Sequence, residues 1–271
     1  MQPENLPENN NPIEVVPAVP EGRPSGVWGA WATVGLSLAI FMIDSMAQTI
    51  VMVIFAVLQA LSEPIGSDLD SVMEFVQRLM TNGDMFSIAL IISSLLGVGA
   101  AWLFIKLRRG AGFKEYLALR AISLKTVLVL IGVLIALFAV AIGIGQLMNS
   151  PEQEDILTQA FYNTTFPPAF WLAIGLIGPF FEEVLFRGFL FAGLLRSRLG
   201  AAWTIIITGL VFAMVHAVQY GIGVLVQIFI LGVVFGLVRW KTNSLWSSII
   251  LHAAWNTAQL VLLALAFNLG V

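Results

Sequence analysis

The chain has 271 residues, no cysteine and a formal charge of −3, with 59% hydrophobic and 11% charged residues and a mean hydropathy of +0.92. About a quarter of the residues of a soluble domain are charged, so this composition excludes an ordinary soluble globule and makes the chain an integral membrane protein. Without cysteine there are no disulfides, thiolate metal ligands or cysteine nucleophile, and so small a net charge gives no reason to expect a nucleic-acid partner.

Residues 1–25 contain Pro3, Pro7, Pro12, Pro17, Pro20 and Pro24 among Asn and Glu, and read as a disordered, Pro-rich acidic tail. The tail lacks the basic start and early apolar run of a secretory signal, so the first hydrophobic segment is expected to remain as an anchor. Apolar runs long enough to cross a bilayer follow near 27–60, 83–105, 122–147, 168–195, 202–219, 222–240 and 244–267. The expected fold is all-α, a polytopic transmembrane bundle of seven spans, or eight if the long first run breaks near Asp44. We divide it into 26–166, N-terminal transmembrane helices with a basic loop at 106–125, and 167–267, the segment holding the site.

Lys106, Arg108, Arg109, Lys114, Arg120 and Lys125 lie in the second connection, Arg196 and Arg198 in the fourth, and Arg239 and Lys241 in the sixth, while Glu63, Asp68, Asp70, Glu74, Asp84, Glu152, Glu154 and Asp155 lie in the others. The positive-inside rule then puts the amino terminus in the cytoplasm and, with seven spans, the carboxyl terminus outside. Phe113, Tyr116 and Leu117 among basic residues suggest either a short amphipathic surface helix or a plain charged loop. No internal repeat is present to suggest an inverted-repeat transporter.

Against this background Glu182, Glu183 and Arg187, and the only two histidines, His216 and His252, lie inside apolar runs. Each charge facing lipid at the bilayer centre costs about 2.5–3.5 kcal/mol, so these groups are expected to face protein or water. Helical spacing puts Glu183 and Arg187 on one face as an ion pair and turns Glu182 by about 100°, toward a cavity. At about 1.5 Å per residue from the cytoplasmic ends, Glu182 and His216 come to similar depths of roughly 24 and 22 Å. His252 and Asn256 share a face, as do Phe212 and His216, so a carboxylate, two imidazoles and an amide can converge from three helices. Pro179, three residues before Glu182, removes an amide donor and is expected to kink the helix and open a water-filled pocket. Asp44 and Gln227 stand alone in their spans and read as helix–helix hydrogen-bonding groups.

The segments Glu182-Glu183-Val184-Leu185-Phe186-Arg187, Phe212-Ala213-Met214-Val215-His216 and His252-Ala253-Ala254-Trp255-Asn256, in that order, resemble the three-motif signature of the CPBP family, the CAAX-protease and bacteriocin-processing intramembrane proteases that include the Rce1-like prenyl endopeptidases. The resemblance covers about 168–260. It implies a helical intramembrane endopeptidase with a conical membrane cavity open to the cytoplasmic leaflet. Glu182 and His216 would activate water, His252 and Asn256 would stabilise the oxyanion, and Glu183, Arg187 and Phe212 would support them.

No cofactor is favoured, and the chemistry is read as glutamate-based. Zinc is the alternative, with Glu182, His216 and His252 as ligands, although the chain has no His-Glu-x-x-His helix. Expected partners are the lipid bilayer and a membrane-associated or lipidated peptide or protein, in a plasma membrane of prokaryotic type. Two other functions stand beside the protease: a non-catalytic bacteriocin-immunity or interaction protein on the same scaffold, and a proton-coupled transporter.

Overall fold

The computed structural model describes residues 26–63, 65–148 and 156–269; the tail 1–25 and the acidic residues Glu152, Glu154 and Asp155 lie outside them. The described residues form helices without strands: α1 (Ala30–Ser62), α2 (Leu69–Met80), α3 (Gly83–Leu107), α4 (Phe113–Leu117), α5 (Leu124–Met148), α6 (Ile156–Tyr162), α7 (Pro167–Leu195), α8 (Gly200–Val215), α9 (Ile222–Thr242) and α10 (Leu245–Leu269). Six of them, α1, α3, α5, α7, α9 and α10, are long and apolar enough to cross a bilayer. The seventh expected span is shorter than its apolar run: α8 has 16 residues, about 24 Å, and stops at Val215. No eighth span appears among the described residues, because α1 runs unbroken through Asp44 for 33 residues, about 50 Å.

Burial ranks these helices. In α7, 61% of the apolar stretch is buried, against 11% in α1 and α5 and 39% at most elsewhere, so α7 is the hub and the others are its wall against lipid. On one side α7 packs against α1 and α3, which cross closely, and on the other against α10 and the α8–α9 hairpin, with α5 outermost against α9 and α10. The α1 contact is a stripe of Thr33, Ser37, Ile40 and Asp44, spaced one helical turn apart. Opposite it α3 buries Ser93, Ser94, Gly97, Ala100 and Ala101, the small residues that let membrane helices approach.

Two connections tie down the ends of α7. At its start, Asp84 of α3 accepts hydrogen bonds from Thr164 Oγ1 at 2.7 Å and from the amides of Thr165 and Phe166 at 3.1 and 3.0 Å. The otherwise unpaired donors before the Pro167–Pro168 turn are thus satisfied by a carboxylate from another helix. Near its other end α4 folds under the bundle. Tyr116 stacks on Phe189 at 5.3 Å, Leu117 is buried beside Gly188, and Leu245 N donates to the Ala118 carbonyl at 2.9 Å. Of the two readings of this segment, the helix is found, but Tyr116 and Leu117 face protein rather than the bilayer surface.

The polar helix α2 is absent from a hydropathy reading. Asp68 caps it, its carboxylate accepting from Ser71 N at 2.9 Å and from the Ser71 hydroxyl at 2.6 Å. The Ser71 hydroxyl and amide hold the exposed Asp68 carboxyl below the usual carboxylate range.

Candidate functional site

The glutamate pair lies where α7 departs from α geometry. Segments Ala173–Ile177 and Val184–Leu190 have π-type hydrogen bonding, and Gly178–Glu183 between them is α-helical. Pro179, the residue expected to kink this helix, follows the first π segment.

The division between the two glutamates follows the spacing. Glu183 and Arg187 are both fully buried and joined through Glu183 Oε1 and Arg187 Nη1 at 3.0 Å. Arg187 Nη2 donates to the Gly232 carbonyl at 2.9 Å, and the guanidinium lies 4.3 Å from the Phe212 ring centre and 5.5 Å from that of Phe235. This buried cation therefore meets a carboxylate, a carbonyl and aromatic faces, with Nε alone left without a hydrogen-bond partner. Gly232 serves two ends here. It faces Gly209 across the α8–α9 crossing, where a Cβ would lie 2.9 Å from Gly209 Cα, and the close crossing leaves its carbonyl within reach of Arg187.

Glu182 has a 28% exposed side chain and is the accessible carboxylate of the two. His252 stands between them. Its Nδ1 lies 3.1 Å from Glu183 Oε1 and its Nε2 3.8 Å from Glu182 Oε2, while its ring stacks on Phe235 at 4.8 Å and meets Phe212 edge-on at 5.7 Å. Since a carboxylate can only accept, Nδ1 carries the proton, leaving Nε2 turned to Glu182.

His216 packs on Phe212, the residue with which spacing put it on one face. It caps the end of α8, with Nδ1 2.8 Å from the Phe212 carbonyl, so Nδ1 donates and Nε2 is left free. No direct ion pair or hydrogen bond joins His216 to Glu182. The Phe212 ring contacts both imidazoles, at 5.0 Å from His216 and 5.7 Å from His252. Asn256, one turn beyond His252, donates from Nδ2 to the Ile174 carbonyl at 3.0 Å.

Three further groups belong to this neighbourhood. Asp44 on α1, buried with Oδ1 unpartnered, has Ser93 and Glu182 as its polar and charged neighbours. Its polarity within an apolar run was a signal; its proximity to Glu182 was not readable from the sequence. The Ile174 and Gly232 carbonyls are main-chain groups, which leave no signal in side-chain type.

The alternative zinc set fits this arrangement poorly. Zinc binds imidazole nitrogen and carboxylate oxygen at about 2.0–2.2 Å, so its ligand atoms must gather around one point. Among the described residues no three His, Asp or Glu side chains are so gathered. No step below is routed through a metal. Two hollows of the bundle lie away from Glu182, one lined by Leu137, Gln227, Leu231 and Trp255 and one by α2 and α6 residues including Asp70, Met80 and Gln159.

Fold and site together define a polytopic helical membrane protein with a carboxylate–imidazole cluster inside the bundle. Residues 164–258 match the family model described as Rce1-like, type II CAAX prenyl endopeptidase. That match, over the segment that holds the site, supports the CPBP/Rce1-like resemblance and, in general terms, a CAAX-type intramembrane protease. Neither the curated proteins nor the solved structures compared with the chain gave a match.

Proposed function

We propose that this protein hydrolyses a peptide bond in a membrane-associated protein or peptide, with water activated by Glu182. The observation that carries the reading is the unequal placement of the two glutamates: Glu183 is closed off with Arg187, while Glu182 stays partly exposed beside His252 Nε2. One carboxylate is structural and the other is available to take a proton from water.

The remaining roles follow from free valences. His216 Nε2 has no hydrogen-bond partner among the described residues and is suited to orient the attacking water or pass its proton to the leaving amine. His252, when protonated on both nitrogens, would present Nε2–H to the oxyanion while Glu183 stabilises the imidazolium. Asn256 keeps a second amide hydrogen for the same oxyanion. Each such donor contributes about 3–4 kcal/mol in hydrolases. Phe212 separates the two imidazoles and keeps their roles distinct. The substrate would approach from the cytoplasmic leaflet through a cavity between helices, in a plasma membrane of prokaryotic type, and a prenylated carboxyl-terminal peptide is the form the family description suggests.

The test is cleavage of a membrane-bound or lipidated peptide library by the purified protein, with and without chelator, and by Glu182→Ala. Loss on mutation with activity retained under chelator supports glutamate chemistry; loss under both brings metal into the reaction. Unchanged biological effect in an abundant variant lacking Glu182, His216 and His252 would replace the protease with an interaction protein.

A further inference from the structure

In the first π segment of α7, Gly178 N–H donates to the Ala173 carbonyl, five residues back. That bond changes the requirements of the next carbonyl. Ile174 O would take its donor from residue 178 in α register or residue 179 in π register. Gly178 N–H is committed to Ala173, and Pro179 has no N–H. Ile174 is buried within a membrane-spanning helix, where an unpaired carbonyl costs several kcal/mol.

Asn256 Nδ2 meets that carbonyl at 3.0 Å. The approach is close by construction: a Cβ on Gly175 would lie 3.0 Å from Thr257 Oγ1, so a small residue at 175 admits α10 to the broken turn. From these observations we infer that Asn256 is a positioning residue that replaces the hydrogen bond Pro179 removes, tying α10 to the π segment of α7. The tie has a geometric consequence for the site. His252 lies one turn from Asn256 on the same face, and Glu182 lies two turns beyond Ile174, so one side-chain bond sets the rotation of α10 and the position of α7 together. It also orients the Asn256 amide, spending one hydrogen on Ile174 and leaving the other for the oxyanion. Only this last consequence rests on the proposed hydrolysis; the tie does not.

The test is a double-mutant cycle of Pro179→Ala and Asn256→Ala, read as thermal stability in detergent and, separately, as peptide cleavage. An alanine at 179 supplies the missing N–H. Asn256→Ala is expected to lower the melting temperature by about 2–4 °C in the native background and by at most about half as much in the Pro179→Ala background. Equal losses in the two backgrounds would overturn the tie. If Pro179→Ala does not accumulate, Asn256→Leu decides: nearly isosteric and more apolar, it should be less stable than the native protein, and equal or greater stability would overturn the inference. The stability results stand whether or not cleavage is detected. Coupled stability without cleavage in the native protein would leave the tie intact and remove the protease reading.

Discussion

His252 meets Glu183 through Nδ1 at 3.1 Å, on the same carboxylate oxygen that Arg187 Nη1 reaches at 3.0 Å. Glu183 therefore fixes both the cation behind it and the imidazole in front of it, and Nε2 of His252 is directed at Glu182. This predicts a clean separation of the neighbouring glutamates. Glu182→Gln is expected to lower turnover by about 10²–10⁴-fold, the usual contribution of general acid–base catalysis, with the melting temperature nearly unchanged. Glu183→Gln is expected to lower the melting temperature along with activity. A stable, inactive Glu183→Gln beside an active Glu182→Gln would reverse the two roles.

The Glu183–Arg187 pair is fully buried, so removing one member leaves an uncompensated charge. Single substitutions Glu183→Ala or Arg187→Ala are expected to cost about 3–5 kcal/mol. Replacing both by apolar residues of similar size, Glu183→Leu with Arg187→Met, should recover much of that loss, since desolvation of two charges is relieved with the pair. Equilibrium unfolding of the three variants measures this. Additive losses in the double variant would show that the guanidinium is held mainly by the Gly232 carbonyl and the phenylalanine rings.

How much of this was legible in the sequence depends on which atoms do the bonding. Glu183 with Arg187, and His252 with Asn256, are four residues apart, and helical spacing alone places each pair on one face. The family resemblance covered 168–260, and the matched segment is 164–258. The long-range contacts were hidden for a physical reason. Ile174 and Gly232 contribute carbonyls, which every residue has, and Asp84 meets partners 80 residues away. The end of α8 was hidden because an apolar run does not mark its own helix end: α8 stops at Val215, and His216 turns back onto Phe212. Helix α2 escaped because a search for apolar runs passes over a half-polar helix, although the Asp68–Ser71 cap was written in the residues.

Asp84 is expected to govern the placement of α7 from its far end. Its carboxylate gathers the Thr164 hydroxyl and the Thr165 and Phe166 amides at the start of α7. Hydrogen bonds to a charged group contribute about 1.5–3 kcal/mol each when lost, partly offset here by water at this exposed end. Asp84→Ala should lower stability by about 1–3 kcal/mol and raise proteolytic cutting near 163–166. Unchanged stability and protease resistance would show that the two prolines alone hold this turn.

The Gly209–Gly232 crossing gives the most stringent geometric prediction. A Cβ at 232 would lie 2.9 Å from Gly209 Cα, 3.1 Å from Gly209 O and 3.2 Å from Arg187 Nη2, and two of these are backbone atoms of another helix that cannot turn aside. Gly232→Ala must therefore push α9 from α8, and the same movement draws the Gly232 carbonyl away from Arg187. Overpacking of this kind costs about 1–3 kcal/mol, and Gly232→Val should cost more. Gly236 provides the control one turn along α9, because a Cβ there would meet Ile205 at 3.3–3.6 Å, a contact that small adjustments can relieve. Gly236→Ala should be close to neutral while Gly232→Ala lowers both melting temperature and cleavage. Equal tolerance at the two positions would mean that α8 and α9 do not cross as closely in the membrane, and would remove the carbonyl from the set of groups that hold Arg187.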